Sequence, residues 1–144
     1  MSKQSLIGVL VGGVTNIVAA NLLGVPIAAY IMTMTGVLGL PTTERKAIYL
    51  AVLHANPPLF ALSLATWGFC SILGGYVAAR IARNNEVVVG AFSSWTCVLL
   101  AANALVQGLS GQPIWQFLVW LPGSPLLAAL GGYVMQRTSR RNAA

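Results

Sequence analysis

The sequence predicts an all-α protein, a polytopic membrane helical bundle with four transmembrane helices. Of its 144 residues, 57% are apolar and only 7% are charged, and its mean hydropathy is +0.78. A globule of this size has too few interior positions for so many apolar residues. The lipid bilayer must therefore cover the rest. The long apolar runs also end at basic residues, as membrane-spanning helices do.

The first apolar run covers residues 6–40 and contains no charge. At about 1.5 Å per residue it is much longer than the hydrocarbon core of a bilayer, which is roughly 30 Å thick. Gly24 and Pro26 offer a break, so the first span is predicted at residues 5–25. The alternative is a cleaved signal peptide, but the apolar run continues well past any cleavage site.

Residues 27–55 predict an excursion on the outer side of the membrane. An apolar piece is followed by a turn and then by a short segment, residues 45–55, which begins with charges and is too short to span. This segment is expected to lie at the interface or to dip in from it. In an alternative topology with five or six spans, parts of the excursion penetrate the bilayer more deeply.

Three further spans are predicted at residues 57–80, 87–106 and 114–136. Each is apolar and long enough to cross the hydrocarbon core. The last one contains Pro122 and Pro125 near its middle. Because proline removes a backbone donor and clashes with the preceding turn, this span is predicted to be kinked or discontinuous.

One motif occurs twice and determines the predicted topology. Residues 73–83 (LGGYVAARIAR) and 130–140 (LGGYVMQRTSR) each close an apolar run with two arginines. The resulting topology anchors are Arg80, Arg83, Arg137 and Arg140. Of the eight basic residues, six lie on the side of these anchors and two on the other side. This bias predicts a bacterial inner membrane protein with both termini in the cytoplasm.

The two motif copies are offset by 57 residues (130 minus 73) and agree at seven of eleven positions. A weaker match links residues 19–21 with residues 101–103. One interpretation is an internal repeat of two parallel hairpins, as some transporters have. The other is that glycines and arginines recur at helix ends for packing and topology alone. The sequence leaves both open.

Small residues at four-residue spacing predict where the helices touch. Lipid tails are as apolar as leucine, so spanning helices associate through close packing of small residues. The predicted helix-packing residues are Gly74, Gly75, Ala78, Ala128, Gly131 and Gly132. The pattern does not say whether the partner helix belongs to the same chain.

The predicted spans contain no carboxylate. The chain has no aspartate, and Glu44 and Glu86 both lie in turns, which argues against proton relays and paired-carboxylate chemistry. His54 has no second ligand at metal-binding spacing. We therefore expect a non-enzymatic protein with no catalytic residues, no cofactor and no metal. The basic residues form no continuous face, so nucleic acid is not an expected partner.

Two functions fit this description. The leading one is a structural or accessory subunit that packs against itself, as a homo-oligomer, or against a larger membrane complex. The alternative is a small oligomeric transporter or channel for a neutral or weakly polar solute. That alternative needs a polar cavity, for which the candidate residues are Asn21, Asn103, Pro122 and Pro125. The competing interpretation of the two asparagines is interhelical hydrogen bonding.

Overall fold

The described chain is almost entirely helical. A computed structural model describes residues 3–82, 85–106 and 114–141, of which 95% are helical with no strand among them. Four segments are long and apolar enough to cross a membrane: Lys3–Thr35, Pro57–Ala82, Glu86–Asn103 and Phe117–Ser139. The predicted all-α helical bundle is confirmed. Of the predicted topology anchors, Arg83 lies outside the described residues, as does the side chain of Arg140.

Six α-helices and one short 3₁₀ turn make up this structure. In chain order the helices are α1 (Lys3–Thr35), α2 (Thr42–Ala55), α3 (Pro57–Ala82), α4 (Glu86–Ser93), α5 (Trp95–Val106) and α6 (Ile114–Arg141). The 3₁₀ turn, Val37–Gly39, lies between α1 and α2. Gly36 ends α1 in the left-handed region, with φ +67°, a conformation that glycine adopts without steric cost.

The first helix does not break where the sequence predicts. α1 runs through Gly24 and Pro26 for 33 residues, about 50 Å, so the predicted break at these two residues is wrong. The helical continuation is held by tertiary packing, because Ile27 and Ile31 are buried against Leu53 of α2. Packing of this kind supports a helix beyond a proline that lacks a backbone donor.

The outer excursion is thus partly an extension of α1 and partly the separate helix α2. Around the buried cluster of α1 and α2 pack four half-buried side chains from α2 and from the first turn of α3: Tyr49, Val52, Leu59 and Phe60. These contacts tie the end of α1, the length of α2 and the beginning of α3 into one unit. Burial in this unit raises the pKa of the Tyr49 phenol.

The third span contains a break that the sequence does not predict. Ser93 Oγ donates a hydrogen bond to the carbonyl of Gly90 at 2.7 Å, and Ser94 Oγ donates to the carbonyl of Ala91 at 2.9 Å. Both serines therefore bind a carbonyl three residues back, which competes with the regular helical bonding and interrupts it. The interruption divides this span into α4 and α5.

The fourth span is continuous. α6 remains helical through both Pro122 and Pro125, so the discontinuous alternative is wrong. Here, too, tertiary packing supports the helix. Trp120 stacks on Trp67 of α3, and Ala128, one turn beyond the second proline, is fully buried.

α3 lies at the centre of the bundle. α1 and α6 pack on it most extensively, and α4 fills the remaining space by packing on α6, α3 and α1. The first turn of α1, the last turn of α3 and the end of α6 lie together and carry Lys3, Arg80 and Arg137. We call this the basic end of the bundle, and the opposite end the far end.

The helices approach most closely in the half of the bundle near the basic end. A methyl group added at Gly8 of α1 would lie 2.6 Å from the carbonyl oxygen of Ala78, and one added at Gly12 would lie 2.6 Å from that of Gly74. Distances this short leave no room for a side chain. α1 and α3 are therefore in contact backbone to backbone.

Other helix pairs also approach each other closely at glycines. A methyl group on Gly75 of α3 would overlap the carbonyl oxygen of Ala128 of α6, and one on Gly131 would overlap that of Ile72. Between α6 and α4, a methyl group on Gly132 would lie 2.5 Å from the carbonyl oxygen of Glu86. All six predicted packing residues thus face helices of the same chain.

The two copies of the repeated motif do not make equivalent contacts. Gly74 faces α1 whereas its counterpart Gly131 faces α3, and Gly75 faces α6 whereas its counterpart Gly132 faces α4. A two-fold axis relating the hairpins would give the counterparts matching neighbours. The internal repeat stays a prediction from the sequence, and these contacts do not support it.

Replacing Gly75 by alanine tests the contact between α3 and α6. The new methyl group overlaps the backbone of Ala128, and overpacking of this kind costs about 1–3 kcal/mol. Gly24→Ala is the matched control, because nothing lies within 4 Å of its added methyl group. We expect Gly75→Ala to lower the free energy of unfolding, measured by denaturant titration in detergent, and Gly24→Ala to raise it by up to about 1 kcal/mol, because alanine is the better helix former. Equal stability of both variants would contradict the close approach.

Candidate functional site

A cleft opens between the helices beyond the glycine contacts. It has a volume of about 240 Å³, is partly open, and lies between α1, α3, α5 and α6. Its walls are formed by Asn16, Ile17, Ala20, Asn21, Trp67, Cys97, Val98, Leu100, Ala101, Phe117, Trp120, Leu121 and Ser124. We call this space the central cleft.

The central cleft exists because the packing changes along the bundle. In the half of the bundle near the basic end, glycine, alanine and serine bring the helix backbones into direct contact. Beyond the break at Ser94, α5 packs only lightly on α1 and α6. On the opposite wall the rings of Trp67 and Trp120 stack with centroids 4.9 Å apart and an angle of 16°. These two large rings hold α3 and α6 apart where glycines no longer bring them together.

The cleft lies at the depth of the membrane centre. Asn16 follows Lys3 by 13 residues (16 minus 3), and Ser124 precedes Arg137 by 13 residues (137 minus 124). Both are therefore about 20 Å from the basic residue of their own helix. The hydrocarbon core is about 30 Å thick, so these two polar side chains occupy its middle.

Two polar side chains are buried in the wall of the cleft. Asn16 and Ser124 each have only 2% of their surface exposed. The hydroxyl of Ser124 is buried without a hydrogen-bond partner. Buried polar groups in native proteins are bonded in nine cases out of ten or more, and an unsatisfied one costs about 1–3 kcal/mol. Ser124 therefore places an unused hydrogen-bonding group beside the cleft.

Apart from Asn16, Asn21, Ser124 and the thiol of Cys97, the lining is apolar or aromatic, and none of the lining residues carries a charge. A charged ligand would lose its hydration at this depth with no opposite charge to replace it, which costs several kcal/mol or more. A neutral molecule fits better. Its apolar part would lie against the stacked indoles, and its polar group would bond to Asn16 and Ser124.

The predicted polar cavity and the central cleft share one residue. Asn21 lines the cleft, and its Nδ2 donates to the carbonyl of Ile17 at 2.8 Å. Asn103 is exposed on α5, and neither it nor Pro122 nor Pro125 belongs to the lining. α6 stays helical at both prolines. The break in its backbone that the polar-cavity hypothesis needs is therefore absent.

Sequence reasoning did not select the residues that define the cleft. Asn16, Ser124 and the tryptophan pair all lie in spans predicted as helices. Asn16 stands out only as a polar residue within an apolar run, as Asn21 does, and the pattern of small and apolar residues does not connect it with Ser124 or the tryptophan pair. A usable signal was the spacing from the basic end. Trp67 also lies 13 residues (80 minus 67) from the basic residue of its helix, Arg80, so three helices place a polar or aromatic side chain at one depth.

The remaining reactive groups do not assemble into a site. His54 ends α2, with its ring centroid 5.4 Å from that of Phe60. Cys70 is buried, and Cys97 lines the cleft as a free thiol. In the described ranges, no three His, Cys, Asp or Glu side chains are placed to share a metal ion.

Two observations assign this protein to a class. Four helices are long and apolar enough to cross a membrane, and a cleft lies between them at the depth of the membrane centre. It is a multi-pass membrane protein. Its sequence and structure match no protein-family model, no curated protein and no solved structure. The function is therefore inferred from the central cleft itself.

Filling the cleft tests its geometry. Ala101 lines the open space, so we expect Ala101→Phe to fold and to keep or raise the stability, by up to about 2 kcal/mol as cavity-filling changes do. The control is Ala128→Phe, at a fully buried position between α3 and α6. We expect this second variant to lose more than about 3 kcal/mol through overpacking. Thermal unfolding in detergent gives both values, and a strongly destabilised Ala101→Phe would disprove the cleft.

Proposed function

We propose that this protein is a small, non-enzymatic transporter that binds a neutral or weakly polar solute in the central cleft. The observation that carries the proposal is the unpartnered, buried hydroxyl of Ser124 in a cleft that the equally buried Asn16 also lines. Together these groups offer one hydrogen-bonding position at mid-membrane depth within an otherwise apolar space.

The shape of the bundle supports this role. Towards the basic end the cleft is closed by backbone contacts at glycine positions, and elsewhere it is partly open. A solute that enters would meet the polar position halfway across the membrane, where secondary transporters commonly place their substrate. Beyond the break at Ser94, α5 packs lightly on its neighbours, whereas α4 packs extensively on α6.

The accessory subunit is the second candidate. The sequence favours it because of the small-residue stripes, but those residues contact helices of the same chain and offer no docking surface to another protein. What favours it in the structure is α5, which packs lightly and exposes Trp95, Leu99 and Leu100. A second copy or a helix of a larger complex would complete the packing of α5.

The basic residues supply the proposed location. Lys3, Arg80 and Arg137 lie at one end of the bundle, and by the positive-inside rule this end faces the cytoplasm. The proposed setting is a bacterial inner membrane with both termini inside. The cleft then opens towards the outer half of the bilayer.

Glycerol flux into proteoliposomes tests transport. Stopped-flow light scattering gives the rate of entry, with protein-free liposomes as the baseline and sucrose as a larger neutral solute. We expect the protein to accelerate glycerol entry and not sucrose entry. Ser124→Ala and Asn16→Ala each remove one hydrogen bond to the solute, so we expect the rate to fall about two- to tenfold.

Ser71→Ala is the matched control for Ser124→Ala. Ser71 is also a fully buried helical serine whose hydroxyl has no partner, but it does not line the cleft. We expect its flux to equal that of the wild type. Equal losses in both serine variants, or no flux above the baseline, would reject transport. Co-purification of a stoichiometric larger partner in mild detergent would then support the accessory role.

A further inference from the structure

A second groove lies at the far end, separate from the central cleft. It runs between the outer part of α1 and the beginning of α2 and has a volume of about 360 Å³. Its lining consists of Ala28, Met32, Thr42, Arg45, Lys46 and Tyr49. We call it the α1–α2 groove. It shares no residue with the central cleft and plays no part in the proposed transport.

One wall of this groove is basic and has donors to spare. Arg45 Nη2 donates to Thr42 Oγ1 at 3.3 Å, which fixes the guanidinium, whereas its Nε is buried and has no acceptor. A buried guanidinium donor without an acceptor is unusual, because hydrogen bonds to charged groups are the strongest that proteins make. Lys46 adds a second positive charge, and Tyr49 adds a hydroxyl.

The other wall of the groove is apolar and is formed by Ala28 and Met32 of α1. Met32 lies 29 residues beyond Lys3 (32 minus 3), which is about 44 Å along the helix. With a typical tilt of about 20°, this is about 41 Å across the membrane. A bilayer with its headgroups is about 40–45 Å thick. The groove is therefore at the level of the headgroups on the far side.

We propose that the α1–α2 groove binds an anionic phospholipid. Arg45 and Lys46 hold the phosphate, and the lipid tail descends along Ala28 and Met32. A single phosphate anion balances the positive charge of Arg45 and Lys46. A zwitterionic lipid would add an ammonium group, and no carboxylate lines the groove to receive it, since Glu44 is exposed and lies outside the lining.

Lipid titration of the purified full-length protein tests this proposal. The protein in neutral detergent is titrated with dioleoylphosphatidylglycerol or with dioleoylphosphatidylcholine, and bound lipid is counted by native mass spectrometry. We expect one phosphatidylglycerol to bind at least tenfold more tightly than phosphatidylcholine. Arg45→Gln and Lys46→Gln should each weaken phosphatidylglycerol binding about fivefold or more, because each removes one basic residue from the headgroup.

Arg137→Gln is the control, since Arg137 is an exposed basic residue at the opposite end. Its binding should equal that of the wild type. Arg45→Gln removes the hydrogen bond to Thr42 and could therefore disturb α2. Lys46→Gln breaks no such bond, so it tests lipid binding separately from folding. Circular dichroism checks that both remain helical.

Three results would overturn the proposal. One is equal binding of both lipids, and another is an equal loss in Arg137→Gln and Lys46→Gln. The third is complete displacement of phosphatidylglycerol by millimolar inorganic phosphate, which would indicate a site for the free anion. None of these results would affect glycerol flux, because the two sites share no residue.

Discussion

The structure depends on direct contact between helix backbones at glycine positions. In a bilayer, burial of apolar side chains does not drive helices together, because the lipid is equally apolar. Close packing has to do so, and here α1, α3, α4 and α6 meet where Gly12, Gly75, Gly131 and Gly132 leave backbone against backbone. This contact occupies the half of the bundle near the basic end. Towards the far end, the described residues make no such contacts. Larger side chains keep the helices apart there and leave the central cleft between them.

Much of the fold could be predicted because membrane helices leave a strong composition signal. The all-α class, the four candidate spans and the small residues at helix contacts all follow from apolar runs and four-residue spacing. The breaks could not be predicted in the same way. Pro26 and Pro122 look like interruptions, yet both lie inside helices held by tertiary packing. Ser93 and Ser94 do not look like helix breakers, yet their side chains bind carbonyls three residues back and divide the third span.

The site was harder to predict than the fold for a related reason. Asn21 could be selected as a polar residue within a span, and it does line the cleft. Asn103 was selected on the same grounds and lies elsewhere, because the rotation of α5 after its break is set by tertiary structure. Ser124 has no distinction in the sequence. Its proposed role depends on tertiary structure, which leaves its buried hydroxyl without a hydrogen-bond partner in a residue that lines the cleft.

The central claim is that a cleft in the middle of the membrane admits small polar molecules, and the two native cysteines test it directly. Cys97 lines the cleft, whereas Cys70 is fully buried among the helices. Intact proteoliposomes are exposed to a small water-soluble methanethiosulfonate reagent, and labelling of each cysteine is measured by peptide mass spectrometry, with the denatured protein as the reference for full reaction. The cleft predicts rapid labelling of Cys97 and protection of Cys70. Protection of both cysteines would mean that no water-soluble molecule reaches the cleft and would contradict the proposed function.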